Sequence, residues 1–290
     1  MSKLDGISPE VIDRFHLDRL PFHQAATAPD ELMRLHGARV VVTGGGGADL
    51  GQAIVHRFAA LGARVAALDL DLDSARAVAE EASKNWGADV FAVHADVTDW
   101  DDVHAAVAGA AERMGGLDVM VNNAGGGLKL HGPFLDIRPE DMRRIVDLNL
   151  FGVLFSSRAA LDHMIPQDRG RIITIASEGG KSRVDGITVY NSCKSAAIGF
   201  TRNLAHELRN TQVSTVAVCP GVMVGPHALA RLAGEGSRAS ISALEESYER
   251  LNAGRFSLPE EVANMVAFLA GEAGAYVSGT AVSVGGGLSD

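Results

Sequence analysis

Cys193 and Cys219 are the only two cysteines among 290 residues, so no disulfide framework can be drawn and a reducing compartment is the default expectation. Aromatic residues are scarce at 5%. No apolar run is long enough to span a bilayer, and the N-terminus lacks the basic-then-apolar order of a secretory signal. Positive charge is short as well: 26 basic residues face 36 acidic ones, and the net charge of -10 disfavours a nucleic-acid or anionic-membrane surface. The 10 histidines show neither HxxxH nor HxH spacing, and no Cys/His cluster suggests a metal, so none is expected. These absences leave a cytoplasmic protein that acts on a small molecule, with neither nucleic acid nor membrane as a partner.

Glycine is plentiful, at 33 residues, and gathers at the ends of short apolar runs. From Ala38 onward such runs alternate with longer helical patterns. Strands are expected at Arg39 to Thr43, Arg64 to Asp69, Val90 to His94, Val119 to Asn122, Arg171 to Ile175, Val213 to Val218 and Ala281 to Val284. Helices are expected at Gly51 to Leu61, Ser74 to Trp86, Asp101 to Met114, Pro139 to Met164, Thr188 to Arg209 and Pro259 to Leu269. This order predicts an α/β fold: one domain over 38–290 with a Rossmann-like, doubly wound, seven-stranded parallel sheet and ligands at the carboxyl ends of its strands.

Residues 1–37 form an N-terminal extension. Ser8 is a plausible N-cap, Pro9 a first helical residue, Val11, Ile12, Phe15 and Leu20 an apolar stripe, and Pro21 a stop. The extension either covers the active site or a neighbouring subunit or, the reading preferred, packs on its own domain. Between Val222 and Leu258 lies a long insertion with Gly225-Pro226, a Gly-rich tip at Gly234 to Gly236 and a helix after Ser240. Mobile loops at this sheet edge commonly shape substrate pockets, so the insertion is assigned to specificity.

Directly after the first strand comes Thr43-Gly44-Gly45-Gly46-Gly47-Ala48-Asp49-Leu50-Gly51. Glycines let the backbone approach a pyrophosphate whose charge is met by amides at a helix N-terminus; the strand-loop-helix context raises a weak motif to a dinucleotide fingerprint. Asp69 ends the second strand, where a carboxylate would bind the adenosine ribose hydroxyls and repel a 2'-phosphate. No Lys or Arg lies in the glycine loop or directly after Asp69. NAD is therefore favoured over NADP. Asp96-Val97 and Asn122-Asn123-Ala124-Gly125 fall at the same sheet edge, although singly each could be a cap or a turn.

Tyr190 and Lys194 are spaced at i and i+4, with Ser177 upstream. On a helix the two share one face. A tyrosine of ordinary pKa about 10 needs roughly 4 kcal/mol to be poised near neutrality. A cation about 4 Å away at an effective dielectric of about 20 supplies roughly that much. The pair is thus adequate as a general acid/base, though an isolated pair at this spacing more often just lines a helix.

Taken together, these motifs resemble the short-chain dehydrogenase/reductase family from about Ala38 to Leu288, with Asn149 in Asn149-Leu150-Phe151-Gly152, Pro220-Gly221 and the ending Val277-Ser278-Gly279 to Gly287 completing the pattern. The resemblance implies that Tyr190 is the acid/base at the carbinol or carbonyl oxygen and that Ser177 hydrogen-bonds the same oxygen. Lys194 would lower the Tyr190 pKa and hold the nicotinamide ribose, and Asn149 would hold a water linking Lys194 to solvent. The implied cofactor contacts are Gly44, Asp49, Leu50, Gly51, Asp69, Leu70, Asp96, Val97, Asn123, Ala124, Gly125, Tyr190, Lys194, Pro220, Gly221 and Val222. A homotetramer, or a homodimer, is implied through the long helices bearing Asn149 and Tyr190.

Four departures from the family pattern stand out. The glycine loop is one residue longer, with Asp49 in place of a glycine, and Asp49 is expected to cap the helix facing away from the cofactor. Gly225 takes a position often held by a carboxamide-binding Thr. Glu178 follows Ser177 and is expected to be solvated, and Gly285 replaces a terminal aspartate with no evident catalytic consequence. The resulting expectation is an NAD(H)-dependent oxidoreductase interconverting a secondary alcohol and a ketone. A 3-oxoacyl thioester reductase is the alternative within that chemistry, a non-catalytic cofactor-binding regulator the alternative outside it, and an isomerase or dehydratase a further one.

Overall fold

Consecutive β-branched residues build the first strand. In the computed structural model of the chain, which describes residues 4, 6–128, 130, 132–182, 186–225, 229, 245 and 248–288, β1 runs Arg39–Thr43 and is buried from Val40 onward. Burial on both faces requires cover on both sides. Val40 and Val42 join one core with Ile54, Val55 and Phe58, whereas Val41 joins a second with Val107, Met120 and Ile172. That alternation is the period of an extended strand.

The other strands are β2 (Arg64–Asp69), β3 (Val90–His94), β4 (Val119–Asn122), β5 (Gly170–Ile175), β6 (Val213–Pro220) and β7 (Ala281–Val284). All pair in parallel in the order β3-β2-β1-β4-β5-β6-β7, with Val42 opposite both Ala67 and Val121. The order reverses between β1 and β4, so the crossovers leave to opposite faces and a crevice opens at the carboxyl ends of these two strands. All seven expected strands are present; β5 starts at Gly170 and β6 runs on to Pro220.

The helices are α1 (Pro9–Phe15), α2 (Pro29–Leu32), α3 (Leu50–Ala60), α4 (Leu72–Trp86), α5 (Trp100–Met114), α6 (Pro139–Val146), α7 (Gly152–Met164), α8 (Thr188–Glu207) and α9 (Pro259–Ala270). The first core packs α3, α4 and α9 on one face of the sheet; the second packs α5, α7 and the end of α8 on the other. α4 shows how local sequence sets the limits: Asp71 caps the free amides of Asp73 and Ser74, and Gly87 leaves the helix in the left-handed region at φ 67°. At the amino edge the Arg39 guanidinium grips Asp118 through Nε at 2.8 Å and Nη2 at 2.7 Å, tying β1 to β4. Burial raises the Asp118 carboxyl, but these bonds and Arg169 outweigh it and leave the group below its ordinary value.

The expected continuous helix from Pro139 to Met164 is instead interrupted by a π-helical turn over Asp147–Phe151. The Asn149 side chain donates to the Ile145 carbonyl at 2.9 Å, the acceptor that its own backbone amide would use in an α-helix. Its Nδ2 also donates to the Gly126 carbonyl and its Oδ1 accepts from the Gly126 amide, each at 2.9 Å. An amide that bridges to another segment thus displaces the regular ladder.

In the N-terminal extension Ser8 caps α1 as expected, accepting from Val11 N, but the helix ends at Phe15 ahead of Pro21. Val11 and Phe15 are exposed rather than packed. Farther along, His23 Nε2 meets Glu272 Oε2 at 2.8 Å and Gln24 donates to the Glu272 carbonyl, while Gly37 N bonds the Gly62 carbonyl. Gly62 precedes β2 and Glu272 precedes β7, so these contacts lie at the amino edge of the sheet, opposite the crevice. This part of the extension packs on its own domain. The Gly-rich tip at Gly234 to Gly236 lies outside the described residues; of the helix expected after Ser240, the described Glu245, Tyr248 and Glu249 are helical.

Candidate active site

The loop after β1 is held in shape from three directions. Gly44 adopts φ 63°, and a Cβ there would sit 3.0 Å from the Ala124 Cα. A Cβ on Gly51 would collide with the Gly44 carbonyl oxygen, so α3 starts directly against the loop only because position 51 is glycine. Asn123 Nδ2 donates to the carbonyls of Thr43 and Gly44, both at 3.0 Å, and Thr43 Oγ1 accepts from the amides of Asn123 and Ala124. From β2, Asp69 Oδ2 accepts from Gly46 N at 3.0 Å and Oδ1 from Asp71 N at 2.9 Å. Asp69 is therefore a tether of the glycine loop as well as a carboxylate at its rim.

On the other side of the crevice, β5 ends just before Ser177, and α8 carries Tyr190 and Lys194. Ser177 Oγ accepts from Gly179 N at 3.0 Å and faces the same cleft as the Tyr190 phenol. Lys194 is buried and its Nζ donates to the Ile175 carbonyl at 2.9 Å, standing 5.5 Å from the centroid of the Tyr190 ring. Burial pushes the Lys194 ammonium down to about 8, partly offset by Cys193 and Cys219. The Tyr190 phenol is raised above its ordinary value, chiefly by burial, against which the Ser177 hydrogen bond works. Burial is the largest cause for both groups, raising the phenol and lowering the ammonium in the chain alone. A Cβ on Gly125 would lie 2.9 Å from Asn149 Oδ1 and 3.1 Å from Lys194 Nζ, so Asn149, through its bonds to Gly126, fixes the backbone that closes over the lysine.

One cleft of about 630 Å³ joins the two halves. Gly44, Leu50, Gly51, Asp69, Leu70, Asp96, Val97, Asn123, Ala124, Gly125, Ser177, Tyr190, Lys194, Pro220 and Gly221 all line it. Asn149, Asp49 and Val222 do not: Asn149 is fully buried behind Gly125, and Met223 takes the place expected of Val222. Asp96 faces the cleft and also caps its own turn, with Oδ1 accepting from the Thr98 amide at 2.8 Å. Sequence reading missed Arg144, Asp147, Leu148 and Leu128 on the lining. The first three sit on α6 and the π turn, whose altered pitch shifts the phase on which a helical reading depends.

Two of the departures take unexpected positions. Asp49 heads α3 at φ 73° and ψ -101°, yet its side chain makes no capping bond to the helix amides. Such a backbone in a non-glycine residue stores about 1–3 kcal/mol of strain. Glu178, expected in solvent, is 1% exposed, and both of its carboxylate oxygens lack a hydrogen-bond partner among the described residues. Its methylenes fill the space beside Gly285, where a Cβ would come within 2.6 Å of the Glu178 Cγ. The glycine at 285 therefore makes room for Glu178. Among the described residues, no helix is long and apolar enough to cross a membrane and no group of three or more His, Cys, Asp or Glu is gathered to hold a metal.

Comparison with known proteins adds independent findings. A family model described as short chain dehydrogenase matches residues 38–234. The 2-(R)-hydroxypropyl-CoM dehydrogenase of Xanthobacter autotrophicus is 35% identical over 86% of this chain and 98% of its own length. The 3-oxoacyl-[acyl-carrier-protein] reductase of Thermotoga maritima is 31% identical over 88% of this chain and 99% of its own. Among solved structures, a 7 alpha-hydroxysteroid dehydrogenase complexed with NADH and 7-oxo glycochenodeoxycholic acid superposes with a TM-score of 0.80 at 31% identity, covering 90% of this chain and 97% of that one.

Proposed function

The chain belongs to the short chain dehydrogenase family, oxidoreductases that work with a nicotinamide cofactor, and from that premise we propose that it is an NAD(H)-dependent enzyme interconverting a secondary alcohol and a ketone. The observation that carries this reading is the shared lining: Ser177, Tyr190 and Lys194 face the same cleft as Gly44, Gly51 and Asp69. The site also fits a dinucleotide. Gly44 and Gly51 lie where any Cβ would strike neighbouring backbone, which leaves bare main chain at the start of α3 for an anion to approach. Asp69 at the rim, with no basic residue in the loop, supports NAD over NADP.

A bound nicotinamide supplies the hydride acceptor in oxidation and the hydride donor in reduction. The chain handles the proton. In oxidation the Tyr190 phenolic oxygen takes the proton of the substrate hydroxyl, and in reduction it returns one to the carbonyl oxygen. The Ser177 hydroxyl, which lines the cleft beside that phenol, gives its single proton to the same substrate oxygen and holds it in line. Lys194, held by the Ile175 carbonyl, is a second proton holder poised at about 8. Asn149 is the positioning residue that keeps Gly125 and Gly126 against it. We further place the enzyme in the cytoplasm as a homotetramer or homodimer, a reading supported by family membership and by its few, unpaired cysteines.

The raised phenol and lowered ammonium give the reaction a direction in pH. The proton-accepting form of the pair grows as pH rises, and the proton-donating form is lost over the same window. Because the two groups interact, the profile reports the pair. The kcat/KM for alcohol oxidation should rise from about pH 6 to about pH 10, by up to ~10-fold per unit on its steepest limb, while ketone reduction falls. Parallel initial-rate profiles in both directions, with secondary alcohols, ketones and acyl thioesters as substrates, provide the check. An oxidation profile that is flat or falls with pH would contradict the assignment, and turnover confined to acyl thioesters would favour the reductase reading.

A further inference from the structure

Asp49 and Gly225, separate departures in the sequence, meet in the structure. A Cβ built on Gly225 would lie 2.6 Å from the Asp49 Cγ and 3.0 Å from the Asp49 Cβ, and would collide with its Oδ1. No side chain fits at 225 while Asp49 keeps its conformation. The reverse holds too: the carboxylate has this space only because residue 225 is glycine. Gly225 is not in the left-handed region, so its backbone does not itself demand glycine; the demand comes from Asp49.

We propose that Gly225 parks the Asp49 carboxylate outside the dinucleotide cleft, against the Val222–Gly225 wall. The inference rests on the dinucleotide reading above. Three observations carry it. Ala48 and Leu50 line the cleft while Asp49 between them does not, so the carboxylate is turned to the wall. The positive φ of Asp49 is a conformation that glycine would hold without strain; an aspartate persists there where its surroundings over-determine it. The far side of the wall is already tied, by Val224 N to the Ser257 carbonyl at 2.9 Å and Ser257 N to the Val222 carbonyl at 3.3 Å. A wall tied on its far side resists displacement, so with a methyl group at 225 the carboxylate is what moves. Gly221, beside this wall, and Met223, within it, line the cleft together with Ser177 and Tyr190.

If a methyl group is placed at 225, the carboxylate must leave the wall. Swinging toward Ala48 and Leu50 brings its charge to the start of α3, where it opposes the phosphates of a dinucleotide. Removing the carboxylate as well removes the conflict. The test is a double-mutant cycle on the full chain with NADH as the probe, its affinity read from nicotinamide fluorescence without turnover and folding checked by Tm. Gly225→Ala should weaken NADH binding by ~10-fold or more with its fold intact, and Asp49→Gly/Gly225→Ala should recover affinity to within ~3-fold of the parent chain. Gly225→Ala binding NADH as tightly as the parent, or a double variant no better than Gly225→Ala, overturns the inference and leaves the function proposal standing. A parent chain that does not bind NADH overturns both.

Discussion

Replacing Tyr190 with phenylalanine is expected to lower kcat for alcohol oxidation by ~10²–10⁴-fold, the range over which a positioned acid/base contributes. The substitution deletes one oxygen and keeps the ring in its place on α8, so NADH affinity and Tm should stay close to those of the parent. What disappears is the group that receives the substrate proton. Ser177 cannot replace it, because its oxygen is already engaged with Gly179 N and a serine hydroxyl is a far weaker base near neutrality. Lys194 is the only other proton holder of the trio, but its Nζ is directed to the Ile175 carbonyl. Steady-state rates with the best alcohol, together with NADH binding by fluorescence, separate loss of chemistry from loss of fold. A phenylalanine variant that keeps full turnover would remove Tyr190 from the mechanism.

The second large effect concerns the cofactor. Asp69→Asn should shift the ratio of kcat/KM for NAD over NADP toward NADP by ~10²–10³-fold. At about 4 Å and an effective dielectric of about 20, two like charges repel by roughly 4 kcal/mol, and partial solvation of a half-buried carboxylate reduces that to about 3 kcal/mol. A secondary cost follows from the tethers. Asp69 accepts from both Gly46 N and Asp71 N, and an asparagine oriented to serve one of them presents an NH₂ to the other. NAD affinity itself should therefore fall by ~10-fold as the glycine loop loosens. Kinetics with each dinucleotide across a concentration series resolve the two effects. A parent chain that uses NADP as readily as NAD, or a ratio unmoved by the substitution, would contradict the assignment of Asp69.

The sheet was legible in the sequence because each strand is a short run of apolar residues buried on both faces, and such runs leave little doubt about their extent. Val40 to Val42 and Val119 to Val121 need no knowledge of distant residues to be recognised. That Ser177, Tyr190 and Lys194 share one cleft with the glycine loop was legible because each places uncommon residue types at the carboxyl end of a strand or on one helix face. What escaped depends on residues far apart in the chain. The π turn arises because Asn149 reaches the backbone of Gly126. The burial of Glu178 follows from the missing Cβ of Gly285, and the orientation of Asp49 from that of Gly225. The pKa of Tyr190 escaped for a related reason: a pairwise Coulomb argument sees the lysine and does not see the desolvation of both groups.

The most direct measurement follows a label. With the secondary alcohol that the chain oxidises fastest in a broad panel of cyclic, aromatic and acyl alcohols, deuterium is placed on the carbinol carbon and the products are analysed by mass spectrometry and NMR. The account predicts that the label leaves that carbon and is recovered in the reduced nicotinamide, one deuterium per ketone formed, with the hydroxyl proton released to water. Label recovered in solvent, label retained in a product formed without net reduction of NAD, or no alcohol in the panel oxidised would contradict it.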